Sequence, residues 1–240
     1  MMFVAMKIAY NGSMFFGFQS QRQKYTISNA LTKAFESVGI FSPFVGSGRT
    51  DKGVHSSGQV ISLEIPSFHS HLEELKNLLN TKLYPHIKIK QIWEVSKDFN
   101  ARFSAKQRRY CYVLSKHYSP FYSVFSHYHI LRDKTLLQEA MGYFVGRHNF
   151  KAFRKKGGAG SKNCWREIYR VKLIQSRDFY ILSFLGNSFL RSQIRLMVGF
   201  LLEIDKGKLT LEDLKRQLEG EEIFKIPAPP AGLFLSSVVY

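Results

Sequence analysis

Strand-like alternation that recurs without a helix between every pair of strands is the feature that most limits how this chain can fold. Val4, Met6, Ile8 and Tyr10 alternate with other residues up to the turn Asn11-Gly12, as an opening strand does. Phe44 to Val45, Gln59 to Ile65, Ile87 to Val95 and Arg108 to Ser115 read as further strands. In the second half Trp165 to Ile174 is followed directly by Phe179 to Leu185, and Gly232 to Tyr240 reads as a last strand. A wholly parallel sheet would need a long crossover at each step, so neighbours this close are expected to pair antiparallel. The expected fold class is α+β, with a mixed, mainly antiparallel sheet and flanking helices.

Helical spacing fills the intervals. Thr26 can cap a helix whose apolar face is Ile27, Leu31, Ala34, Phe35 and Val38, with Gly39 as its stop. Leu72 to Leu83, Asp133 to Gly146 and Ser188 to Leu202 follow the same period, and Thr210 with Asp213 marks another start. Both halves mix helices and strands. The expected division is 1–105 and 106–240, joined without a linker into one fused unit. A chain of 240 residues can bury roughly 70% of the surface that its unfolded form exposes.

The charge points to a partner. Lys and Arg exceed Asp and Glu by 17, and the isoelectric point is near 9.9. Such an excess concentrates polyanions at the surface, and an aromatic content of 15% supplies stacking platforms for a nucleic acid. A generally lysine-rich source would produce the same charge, so composition alone leaves both readings open. Arg108, Arg109, Arg154, Lys155, Lys156 and Lys162 are the candidate phosphate contacts. Two cysteines make no disulfide framework, which fits a reducing cytoplasm, and no apolar run reaches the ~20 residues of a membrane helix. No membrane association is expected.

The chemistry concentrates in Gly46-Ser47-Gly48-Arg49-Thr50-Asp51-Lys52-Gly53-Val54-His55. Glycines let the backbone turn tightly and let a bulky ligand approach, while Arg49 and Lys52 flank one carboxylate and favour its charged form. An Asp beside Gly also commonly organises a turn, so these residues by themselves leave catalysis and turn geometry both open. The order does not fit a phosphate-binding P-loop or a dinucleotide site, and one acidic residue is too few for a calcium loop. His127 and His129 share a strand face, yet nothing nearby completes a tetrahedral zinc set. No metal is expected.

Gly48-Arg49-Thr50-Asp51-Lys52-Gly53-Val54-His55 resembles the active-site motif of the bacterial tRNA pseudouridine synthase A family. Other blocks follow in the same order along nearly the whole chain. They are Tyr10-Asn11-Gly12-Ser13, Phe16-Gly17-Phe18-Gln19, Phe99 to Ala105, Arg108 to Tyr112, Gly146 to Phe150, Asn187 to Leu190 with Arg195, and Pro229 to Leu233. Asn11, Phe18, Asn100 and Arg191-Ser192-Gln193 depart from the residues usual in that family.

The resemblance implies two similar α/β halves around a central RNA-binding cleft. It implies isomerisation of uridine to pseudouridine at positions 38, 39 and 40 in the anticodon stem-loop of tRNA, by a homodimer, without a cofactor. Asp51 becomes the essential residue, as a nucleophile on the ribose or as the base that removes a sugar proton, Arg195 the guanidinium that holds its carboxylate, and Tyr110 the ring that stacks on the target uracil and can assist the final proton removal. Arg49 is the candidate for holding the flipped nucleotide, and Leu233 either walls the pocket or packs the core. Two rival readings keep the charge and the aromatics: a non-catalytic RNA-binding protein, and a synthase of the same fold acting on another RNA site.

Overall fold

The computed structural model describes residues 1–155, 157 and 163–240. In chain order the elements are β1 (Met2–Tyr10), α1 (Ile27–Glu36), β2 (Phe44–Gly46), β3 (His55–Ile65), α2 (Leu72–Leu83), β4 (Ile87–Glu94), β5 (Gln107–Ser115), β6 (His127–Tyr128), α3 (Lys134–Gly142), β7 (Gly146–Asn149), β8 (Trp165–Gln175), β9 (Phe179–Gly186), α4 (Gln193–Asp205), α5 (Leu211–Leu218) and β10 (Leu233–Val239). They group into two compact units. Unit 1 comprises 1–106 and 234–240, and unit 2 comprises 107–233. A cut at 105/106 would leave the last strand with the second half, whereas 234–240 groups with unit 1.

In unit 1 the strands run β4-β1-β3-β10, with β2 on β3. All of these pairs are antiparallel except β10, which lies parallel to β3 with Phe234 opposite His55 and Leu235 opposite Ser56. Alternation in β1 sends Val4, Met6, Ile8 and Tyr10 to one face, where they pack with residues of α1 and α2. Leu75, Leu79 and Leu83 recur at helical spacing on α2 and are buried, each contributing about 1.5–3 kcal/mol. α1 starts where Thr26 and Asn29 form a reciprocal capping box, and the chain turns after it at Gly39, whose φ is +79°. The opposite sheet face, Ala5 and Val60, is covered by Ala101, Phe99 and Tyr240. Tyr240 Oη donates to the Ala101 carbonyl at 2.9 Å.

Unit 2 holds the strands β5-β9-β8-β7, antiparallel throughout, with β6 parallel to the end of β5. α4 is apolar nearly all round and buried along most of its length, as expected of a core helix. Phe144, Phe150, Phe153 and Phe200 form its aromatic neighbourhood, with edge-on contacts such as Phe144–Phe153 at 5.4 Å. The buried Asp205 carboxylate at the end of α4 accepts from His129 Nε2 at 2.7 Å and from the backbone N–H groups of Arg132 and Asp133 at 3.0 Å each. That set ties α4 to the start of α3, whose first turn Asp133 caps through the Leu136 N–H. His129 is therefore engaged in structure, and its ring lies 6.5 Å from that of His127.

The sheet is mixed and mainly antiparallel, as the alternation predicts. Three boundaries differ from the sequence reading by four residues or more. β3 begins at His55, inside the segment expected to be loop, because His55 and Ser56 find partners on β10. α3 ends at Gly142, and Gly146, with φ +107°, opens a strand that periodicity missed. α4 begins at Gln193, not at Ser188: Ser192 holds a left-handed φ of +58° and provides no side-chain cap. Among the described residues, no helix is long and apolar enough to cross a membrane.

Candidate active site

The Asp51 loop leaves β2 at Gly46 and enters β3 at His55, and both of its shoulders are pinned. Ser47 N–H donates to the Val60 carbonyl at 2.8 Å, and its hydroxyl donates to Gln59 Oε1. Gln59 Nε2 then donates to the Gly48 carbonyl at 2.6 Å. Closer to Asp51, the Thr50 hydroxyl and Tyr10 Oη share a buried hydrogen bond of 2.9 Å, and the Phe18 N–H donates to the Thr50 carbonyl at 3.1 Å. Past the carboxylate, the Val54 N–H closes a turn on the Asp51 carbonyl at 3.1 Å, with Gly53 at φ +77°. Asp51 itself is half-buried and Arg49 exposed, while Thr50 between them is buried.

The segment after β1 braces this loop from below. Gly12 N–H donates to His55 Nδ1 at 3.0 Å, and the buried His55 ring stacks on Phe234 at 4.9 Å. A Cβ on Gly12 would lie 1.9 Å from the Val54 carbonyl oxygen, so only glycine fits there. Gly17, at φ +92°, brings the backbone within reach of Thr50 in the same way. Lys52 Nζ sits 4.3 Å from the Phe16 ring centroid, a cation–π contact at the rim. Tyr10, Phe18, Thr50 and Gln59 were not among the sequence candidates. The alternation in β1 and β3 marks Tyr10 and Gln59 as strand residues without disclosing that they grip one loop.

The remaining candidates belong to unit 2. Tyr110 lies on β5 opposite Phe184 and is buried, with the Phe189 ring edge-on at 5.3 Å. Arg195 is on the first turn of α4. Its Nε donates to the Ala228 carbonyl at 2.7 Å, and the Ala228 N–H returns a bond to the Arg195 carbonyl at 2.8 Å. Leu233 is buried at the end of that same segment, just after a short 3-10 turn over Pro230–Gly232. Among the candidate phosphate contacts, Arg108 donates to the Asn187 carbonyl at 2.9 Å and Arg109 to Ser183 Oγ at 3.4 Å, so both are partly engaged in the fold. Arg154 is half-buried and Lys155 exposed, and Lys156 and Lys162 lie outside the described residues.

The residues that depart from the family pattern have local structural work. Asn11 Oδ1 accepts from Ser13 N–H and Oγ, and Phe18 packs edge-on against Phe44. Asn100 Oδ1 accepts from the Arg102 and Phe103 N–H groups, closing the turn that covers the back of the unit 1 sheet. Gln193 is buried and its Oε1 accepts from Leu190 N–H at 2.7 Å, which fixes the unwound residues before α4.

The family model described as tRNA pseudouridine synthase matches residues 6–104 and 140–240. A tRNA pseudouridine synthase A from Campylobacter jejuni subsp. jejuni serotype O:2 is 40% identical over 242 residues, covering 100% of both chains. The protein of that name from Wolinella succinogenes is 40% identical over 97% of this chain and 92% of its own. One from Thermosipho melanesiensis is 36% identical over 98% of each. The family model and these full-length relatives make the chain a pseudouridine synthase. Within that class, the chain belongs to the tRNA pseudouridine synthase family.

Proposed function

We propose that this chain converts uridine to pseudouridine in the anticodon stem-loop of tRNA, at positions 38, 39 and 40, with Asp51 as the nucleophile. The coarser reaction, isomerisation of uridine in tRNA, is that of the family to which it belongs. The base leaves C1′ of the ribose through its nitrogen and returns through a ring carbon, so atoms and electrons balance within the substrate and no redox carrier is needed.

The observation that supports Asp51 is the pinning of its loop. A single half-buried carboxylate stands on a turn held by a buried bond at Thr50 and a part-buried one at Gly48, which limits the reorganisation needed when a substrate arrives. Detached sugar would be captured by water in an open site, so a preorganised carboxylate and exclusion of water serve the same end. In this reading unit 2 contributes Arg195 as the guanidinium serving the carboxylate, Tyr110 as the stacking ring and Leu233 as apolar wall. Arg49 secures the flipped nucleotide, whose departure from the stack costs a few kcal/mol. The net charge of +17 supplies phosphate contacts, so binding weakens steeply with salt. The working form in this reading is a cytoplasmic homodimer on tRNA.

Release of tritium from unmodified tRNA carrying 5-tritiated uridine tests the proposal. The label is freed as the new carbon bond forms. Wild type should release it, and Asp51→Asn should bind the same tRNA without release; label freed at near-normal rate by Asp51→Asn would remove Asp51 from the chemistry. Mapping the modified positions on the product tests the anticodon assignment, and modification confined to other sites would overturn it.

A further inference from the structure

Tyr112 lies two residues beyond Tyr110 on β5 and has no part in the reaction as proposed. Its side chain is fully buried, and its Oη donates to the Pro229 carbonyl at 2.8 Å. The neighbouring Ala228 carbonyl is the acceptor for Arg195 Nε, at 2.7 Å. Three residues beyond Pro229, Gly232 lies so close to the Tyr112 ring that a Cβ there would come within 2.8 Å of it. On the other side, Gly199 of α4 packs against the Ile226 carbonyl, where a Cβ would come within 2.2 Å. The segment 226–232 is thus clasped between β5 and α4, and its fixed point on β5 is the phenol of Tyr112. Burial raises the pKa of that phenol far above the ordinary tyrosine value and outweighs the opposing charge of Arg195, so it remains a donor at every working pH.

We infer that Tyr112 is a positioning residue for the isomerisation: its hydroxyl anchors the 228–232 segment, and the Ala228 carbonyl on that segment sets the direction of the Arg195 guanidinium. The inference rests on the role proposed above for Arg195. A rotated guanidinium keeps its charge but loses its aim, and a small misplacement of a group that acts in the transition state costs rate more than binding.

Tyr112→Phe keeps the ring against Gly232 and removes the anchor. The expected result is a kcat reduced roughly three- to tenfold, in line with one hydrogen bond, with KM for tRNA little changed. Both are to be measured well below the melting points read on the same samples. Arg195→Lys keeps the charge and removes the Nε–H that the Ala228 carbonyl receives. In that background Tyr112→Phe should produce no further loss of kcat. A folded Tyr112→Phe with wild-type kcat, or losses that simply multiply in the double variant, would overturn the inference. Wild-type turnover by Arg195→Lys would instead remove the role of Arg195, and this inference with it. A slow Arg195→Lys beside an unaffected Tyr112→Phe would refute the positioning role alone.

Discussion

Gln59→Leu isolates what holds the Asp51 loop in place. The substitution nearly conserves volume at a fully buried position and removes two hydrogen bonds, one from Ser47 Oγ and one to the Gly48 carbonyl. A net hydrogen bond is worth about 0.5–1.5 kcal/mol, and a buried partner left unsatisfied costs about 1–3 kcal/mol. Ser47 is 1% exposed, so water does not readily replace its lost acceptor, whereas Gly48 is half-exposed and can turn to water. Apolar burial of the leucine offsets about 1 kcal/mol. The balance is a loss of about 1–3 kcal/mol, which for a chain of this size lowers Tm by roughly 3–10 °C. Because both lost bonds end on the shoulder before Asp51, tritium release should fall more than the melt implies, even at temperatures where the variant is fully folded. Thermal denaturation followed by circular dichroism, paired with the release assay at 20 °C, reads both quantities. A lowered Tm with an unchanged rate would show that the Gly48 shoulder does not position the carboxylate. An unchanged Tm would refute the two bonds themselves.

Other consequences can be checked on the same preparation. Gly17→Ala forces a side chain into φ +92° and brings its Cβ within 2.8 Å of the Thr50 carbonyl. It should cost at least about 1–3 kcal/mol and reduce release, while Gly207→Ala, at φ +74° with no atom within 4 Å, should cost stability alone. Burial, then the neighbouring His129 and Lys206, hold the pKa of His127 below the ordinary histidine value of 6.5. Protonation of His127 therefore favours unfolding: its contribution is intact above about pH 6.5 and is lost as pH falls through the lower folded-state value. Melting curves should show a decline on acidification that His127→Gln makes shallower, and parallel curves for the two proteins would contradict the shift.

Local chemistry was legible where one segment decides its own structure. The spacing of Leu75, Leu79 and Leu83 delimits α2, and Thr26 and Thr210 start their helices through side chains three residues apart. Periodicity failed where a distant partner decides. His55 and Ser56 look like the tail of a glycine loop until β10 supplies their ladder, and the bond from Ser56 Oγ to the Leu235 carbonyl spans 179 positions. Tyr143-Phe144-Val145 continues an apolar helical pattern, yet Phe144 is used by the aromatic cluster after the helix has ended at Gly142. Before α4, Gln193 satisfies Leu190 N–H from within the first turn, a cap that the hydroxyl of Ser188 only imitates in the sequence. In the candidate site, the glycine motif pointed to Asp51 and the resemblance to Tyr110 and Arg195, but neither disclosed that Tyr10, Phe18 and Gln59 grip the loop.

The parallel pairing of β10 with β3 has a consequence for how the protein is made. Synthesis delivers β3 early, but the strand that borders it, and the Phe234 ring that stacks on His55, emerge only after all of unit 2 has been translated. Domains whose residues are contiguous can fold in order as they leave the ribosome. Here the first unit to appear waits for the second, with one edge of β3 and the base of the Asp51 loop uncovered in the interval. A nascent chain halted before residue 234 should therefore remain protease-sensitive around Val54–Gly58 and become resistant once the last strand is released.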